Sequence, residues 1–273
     1  MNNNLKRLLG MMCCGVLALN AFSQTGKEHI AIIPEPVSIT QGEGQYVLPK
    51  TIIVATRVNP EMKEAIATLK SLSIPTGNHV TILNSATKPA IKLMLNAKTD
   101  TVIGDEGYYL SVTKKGVVIR ANKPAGLFYG TQTLMQLLPK EIVSDKRVSG
   151  VSWAMPCVQI TDYPRFKWRG LMFDVSRHFF TKAEVEQYID NMVKYKYNLL
   201  HMHLTDDEGW RIEIKSLPRL TTVGAYNVKK VGYFGSFPAP KPDEPRNYGG
   251  LYTQADIREI VQCAKDRFMN ILP

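Results

Sequence analysis

Cysteine is scarce in this chain of 273 residues: there are four, and two of them, Cys13 and Cys14, stand side by side near the start. No CxxC pair, no GxxxxGK[ST] loop and no GxGxxG turn occurs. The usual sequence signs of a zinc ribbon, a dithiol redox centre, a phosphate loop or a dinucleotide fold are therefore missing. Histidine is also rare, with five residues. His201 and His203 form the only close pair and would share one face of a strand. No third ligand stands near them in sequence, so they read as core histidines, and neither a metal nor a cofactor is expected. Lys and Arg outnumber Asp and Glu by 34 to 24, a net charge of +10. The basic residues are scattered and not interleaved with aromatics, so a nucleic-acid partner is not expected.

Long apolar runs are missing as well. The longest lies near the start, from Leu8 to about Leu19, and is too short to span a bilayer comfortably. Lys6 and Arg7 precede it, and Ala21 and Ser23 follow as small residues. This pattern reads as a secretory leader, residues 1–23, cut after Ser23. The expected location is therefore periplasmic or extracellular, with no membrane span after cleavage. The residues ahead of Cys13 are "GMM", which does not suit lipidation. Cys157 and Cys263 would remain and read as two lone buried thiols.

What is present is enough apolar sequence for a real core, at 44%. Residues 24–160 alternate strand and helix patterns. "YVLPKTIIVAT" predicts strands around a turn, and "EMKEAIATLKSL" a helix with Met62, Ile66 and Leu69 on one stripe. "EGYYLSVTKKGVVIRA" predicts two strands joined at Lys-Lys-Gly. "AGLFYGTQTLMQLLP" predicts a helix that stops before Pro139. The expectation is a small α+β domain without a catalytic cluster.

Residues 161–273 follow another rhythm. "WRGLMFDVSR" and "LLHMHLTDD" are dense strands about thirty residues apart. Between them lies an amphipathic helix with Thr181 and Glu184 placed as a capping box. A second helix, capped by Thr253, leads to "MNILP", the start of a third strand. This is β/α sequence. A Gly- and Pro-rich stretch, "GYFGSFPAPKPDEPRNYGG", reads as a long loop at the carboxyl end of a strand. The expected fold class is α/β: the small domain, then the first part of a (β/α)8 barrel, incomplete because the chain stops in the third strand.

Strand alternation places Arg169, Leu171, Phe173, Val175 and Arg177 on one face. It likewise groups Leu200, Met202, Leu204 and Asp206. Both series are apolar and end in charge at the carboxyl tip, as a barrel interior would. Arg177 and Asp206 are then expected to meet at one rim. The bland alternative is two charges at strand ends that simply reach solvent. Asp207 would point away from Asp206, so the two adjacent carboxylates would not flank a scissile bond. Trp210 could stack on a sugar, but reads better as packing.

The stretches "DYPRFKWRGLMFDVSRHFF", "YIDNMVKYKYNLLHMHLTDDEGWRIEIKSLPRLTTVGA" and "GLYTQADIREIVQCAKDRFMNILP" resemble the catalytic domain of family-20 glycoside hydrolases, the β-N-acetylhexosaminidases. "PEPVSI" and "ANKPAGLFYGTQTLMQLLP" resemble the opening and closing of the small domain that precedes it. The resemblance implies hydrolysis of terminal non-reducing N-acetyl-D-hexosamine from a glycan or oligosaccharide. The mechanism it implies is retaining, with the substrate's own acetamido oxygen attacking the anomeric carbon. It further implies that Arg177 binds sugar hydroxyls at C3 and C4. Asp206 would have a supporting catalytic role, through a His that steadies the acid. The family's acid Glu and the Asp before it are not matched in residues 1–273. The chain therefore reads as a truncated N-terminal portion, inactive as it stands, with a non-catalytic carbohydrate-binding remnant as the alternative. Oligomeric state is not legible.

Overall fold

Apolar alternation in the first half becomes a seven-stranded mixed sheet. Its strands are β1 (Ser38–Val47), β2 (Thr51–Ala55), β3 (His79–Leu83), β4 (Ile91–Leu95), β5 (Tyr108–Thr113), β6 (Gly116–Ala121) and β7 (Ala154–Asp162). They lie in the order β1-β7-β5-β6-β4-β2-β3. The β1, β7, β5 and β6 neighbours are antiparallel. The β6, β4, β2 and β3 neighbours are parallel. These assignments come from a computed structural model, which describes residues 30–229, 236 and 238–273. The leader read at residues 1–23 lies outside the described residues, as does part of the Gly/Pro-rich loop.

Two helices cover this sheet, α1 (Lys63–Ser71) and α2 (Pro124–Leu137). The stripe Met62, Ile66 and Leu69 is buried, as its spacing predicts. Pro124 opens α2, where its missing N–H costs nothing. Ile52, Val54, Ile91, Leu93, Leu110 and Ile119 supply the sheet side of the core.

The second half forms β8 (Gly170–Asp174), α3 (Lys182–Lys194), β9 (Leu199–His203), α4 (Gln254–Asp266) and β14 (Asn270–Leu272). Four two-residue strands intervene: β10 (Thr205–Asp206), β11 (Gly209–Trp210), β12 (Tyr226–Asn227) and β13 (Tyr248–Gly249). The three longer strands make a parallel sheet ordered β14-β9-β8. Sequence reading left the last strand as a stub, but it pairs over Asn270–Leu272 with Leu199–His201. Both helices begin with the same device. Thr181 caps α3 with Glu184, and Thr253 caps α4 with Asp256, each as a reciprocal capping box. Thr253→Ala should lower stability by about 1 kcal/mol, read as a lower urea midpoint with an unchanged slope.

The two layers meet in residues 32–273, one compact unit. Lys196, in the left-handed region at φ 63° after α3, reaches Asp162 at the end of β7, with Nζ to Oδ2 at 2.7 Å. Its Nζ also donates to the Tyr108 hydroxyl, 2.9 Å away. A buried cation paired and hydrogen-bonded in this way ties the barrel-type sheet to the small domain.

Three expectations need correction here. The alternation rule chose the wrong face. Phe173 stacks on Tyr188 of α3 at 4.3 Å between ring centres, and its register partner Met202 is buried. That series therefore faces the helices, while Asp174 and His203 lie on the opposite face. The rule also ran too far, because strand geometry ends at Asp174 and His203, before Arg177 and Asp206. His201 is exposed and His203 only half-buried among charged groups, so neither is a core histidine. Both thiols are free, but only Cys157 is buried. Cys263 is half-buried, and that burial raises its thiol pKa to about 11.

Candidate functional site

The site begins where β8 stops. Asp174 Oδ1 accepts the backbone N–H groups of Ser176 at 3.1 Å and Arg177 at 3.0 Å. This side-chain turn takes the chain out of the strand. It folds the Arg177 guanidinium back, so that Nη1 donates to Asp174 Oδ2 at 2.8 Å. On the adjacent strand, His203 stands opposite Asp174 in register. Its Nδ1 lies 3.2 Å from Arg177 Nη1. Beyond His203, β10 and β11 pair as a short hairpin. That hairpin brings Asp206 Oδ2 to 2.5 Å from Arg177 Nη2, and Glu208 Oε2 to 3.6 Å from Nε. One guanidinium is thus held among three carboxylates and an imidazole at the carboxyl ends of parallel strands. It remains about a third exposed, at 34%. The hydrogen bond to Asp174 raises its pKa further, so it is a permanent cation.

The run "HLTDDEGWR" now has a physical reading. Asp206 and Glu208 face Arg177, while Asp207 is exposed. Trp210 is half-buried, with Nε1 donating to Ile212 O at 2.8 Å. Gly209 is required by close approach: a Cβ there would sit 2.2 Å from the guanidinium carbon of Arg211. Arg211 passes beneath, only 1% exposed, and donates to the carbonyls of Val175, Ser176, Ala225 and Gly250. The Ser176 hydroxyl closes the arrangement by donating to Gly209 O at 2.7 Å. The base of the long loop is pinned by β12 pairing with β13 and by Tyr248 bonding His178.

Burial alone would raise the Asp174 carboxyl. The bonds from the Arg177 side chain and backbone outweigh it, and its pKa lies below the usual aspartate range. A depressed folded-state pKa contributes stability that is full above the unfolded value, about 3.9. The contribution fades as pH falls through the folded value. Urea midpoints of the protein and of Asp174→Asn should therefore differ at neutral pH and converge on acidification; a constant gap down to pH 2 would contradict this.

Of the residues expected from sequence, Arg177 and Asp206 are in contact, by turns rather than by strand parity. Glu213, which the sequence did not nominate for the site, accepts the Gln254 N–H at the start of α4 through Oε2. Sequence reasoning missed Asp174, His203 and Arg211. Asp174 and His203 were visible as polar residues on the less apolar parity of both strands. Among the described residues, no group of three His, Cys, Asp or Glu side chains is arranged to hold a metal ion.

Charge gathered at the carboxyl ends of parallel strands in β/α units is the arrangement on which barrel-type enzymes build their sites. Residues 166–273 match the description "Glycosyl hydrolase family 20, catalytic domain", and residues 29–163 match "Glycosyl hydrolase family 20, domain 2". The chain belongs to glycosyl hydrolase family 20. It is 35% identical to a beta-hexosaminidase of Porphyromonas gingivalis, over 98% of this chain and 34% of that protein. The N-acetyl-beta-hexosaminidase of Streptomyces plicatus, solved in complex with Thio-NAglucal, superposes with a TM-score of 0.77 at 37% identity. That match covers 89% of this chain and 45% of the other. The beta-N-acetylhexosaminidase of Bacteroides fragilis gives a TM-score of 0.69 at 28% identity, over 90% and 44%. The chain thus spans between about a third and a half of the length of these relatives.

Three sequence expectations are corrected on these matches: a truncated portion, an incomplete barrel and an inactive remnant give way to a catalytic-domain match over residues 166–273, in which three parallel strands are described. The first two were inferred from where the chain stops, a point that carries no conclusion, and the third from the family's acid Glu and the Asp before it being unmatched in residues 1–273. The superposed Streptomyces plicatus structures hold Thio-NAglucal or, in a mutant, the product GlcNAc.

Proposed function

We propose that the protein is an exported β-N-acetylhexosaminidase, which removes terminal non-reducing N-acetylhexosamine from glycans or oligosaccharides. The observation that carries this is the Arg177 cluster, placed at the carboxyl ends of β8 and β9 in a family-20 chain. A fixed guanidinium beside carboxylates offers donors and acceptors together, which suits vicinal hydroxyls. Arg177 is assigned to the hydroxyls at C3 and C4 of the terminal sugar. The substrate's acetamido oxygen attacks the anomeric carbon as the bond to the leaving oxygen breaks, and that oxygen takes its proton from a general acid that none of the assigned residues supplies. Water then opens the oxazolinium-like intermediate with overall retention. Glu208 is not assigned as the acid, because it faces Arg177.

Nitrophenol release from the nitrophenyl N-acetyl-β-glucosaminide, without release from the β-glucoside, supports this reading. Equal rates on both, or release from neither, would overturn it, since the glucoside lacks the attacking acetamide. Asp206 is assigned a supporting role. Asp206→Asn keeps the shape beside Arg177 and removes the charge. It should lower kcat by roughly ten- to a hundred-fold and change KM less. Export rests on the pattern of residues 1–23, and N-terminal sequencing of secreted protein should begin at Gln24.

A further inference from the structure

His203 touches both assigned residues, and the direction of each bond is fixed. A guanidinium can only donate, so Arg177 Nη1 donates to His203 Nδ1 across 3.2 Å. Nδ1 then carries no proton, and the ring N–H is on Nε2. That nitrogen points at Thr205 O, 3.1 Å away, and at Asp206 Oδ2, 3.2 Å away. Asp174 Oδ2 lies 3.8 Å from Nδ1 but only 2.8 Å from Arg177 Nη1, so it belongs to the arginine. A protonated Nδ1 would aim its N–H at a guanidinium.

From this geometry we infer that His203 is a positioning residue, held neutral as the Nε2–H tautomer, which sets the spacing between Arg177 and Asp206. The inference rests on the function proposed above. Three carboxylates surround Arg177 and offer it more than one resting place. The imidazole is a rigid spacer, anchored by its strand opposite Asp174. It holds Nη1 from one side and Asp206 from the other. Without it, Arg177 can swing toward either carboxylate, and the sugar-facing guanidinium loses its fixed orientation.

Isosteric changes separate the two arms of the ring. His203→Asn keeps an acceptor near the Nδ1 position, and His203→Gln keeps a donor near the Nε2 position. His203→Ala should raise KM about ten-fold with a smaller change in kcat. His203→Asn should recover most of the KM, and His203→Gln should not. A merely structural role would move melting temperatures and leave this split unmade, so equal KM values for the Asn and Gln variants would overturn the inference. A second readout needs no activity. In ¹⁵N spectra of the full chain, the His203 ring should show an unprotonated Nδ1 whose resonance moves in Arg177→Ala. A proton on Nδ1, or no response to Arg177→Ala, would overturn the inference even in an active enzyme. Wild-type protein that fails to cleave the N-acetylglucosaminide would overturn the proposed function instead, and the ring spectrum would still decide the tautomer.

Discussion

Arg177→Ala is expected to lower kcat/KM on the nitrophenyl N-acetyl-β-glucosaminide by roughly ten- to a hundred-fold or more. The change removes charge-assisted hydrogen bonds to substrate hydroxyls, which exist in the ground state and persist to the transition state. KM should therefore rise, and kcat should fall as well. The second effect comes from what is left behind. Asp174, Asp206 and Glu208 all face the guanidinium. Without it, like charges crowd one rim, and a hydroxyl-bearing ligand meets acceptors alone. Arg177→Lys should rescue little, because one ammonium cannot reach positions now served by three nitrogens. Calorimetric titration with N-acetylglucosamine would read the ground-state part separately. Normal kinetics in a protein with a reduced melting temperature would mean that Arg177 only holds the strand end.

The elements whose causes are local were legible in the sequence. The Thr181–Glu184 capping box and the Thr253 cap are each written locally, and Pro139 marks where α2 must already have ended. The Lys-Lys-Gly turn fixes the register of β5 against β6, from Tyr108 with Ala121 to Thr113 with Gly116. Pairing over long distance was not legible: β7 inserts between β1 and β5, and nothing local announces it. The site was half legible. Arg177 and Asp206 meet as expected, yet by an aspartate turn and a two-residue hairpin rather than by the strand rule used to place them. That rule needs to know where the strands end, and a short polar side chain bonding to the backbone ends β8 without any Gly or Pro to mark it.

Arg211 was the least legible residue, because its partners are backbone carbonyls at positions 175, 176, 225 and 250, and among the described residues no carboxylate forms a salt bridge with it. Its replacement should have the largest effect on stability. Burial lowers the pKa of this guanidinium, yet it stays charged, because its donors are matched to acceptors already in place. Arg211→Met has similar reach and no donors. It would leave buried carbonyls unsatisfied, at about 1–3 kcal/mol each, so that even with partial rescue by water the loss should be about 3–5 kcal/mol. For a unit of this size that is a fall in melting temperature of roughly 10 °C. Arg211→Lys should do nearly as badly, since one nitrogen cannot span carbonyls from separate segments. The damage should also reach the site. Val175 and Ser176 immediately precede Arg177, and Gly209 closes the hairpin that presents Asp206 and Glu208. KM measured on the folded fraction at low temperature should therefore rise together with the loss of stability. A variant that melts early yet keeps a normal KM would show that Arg211 holds the loops without setting the aim of Arg177.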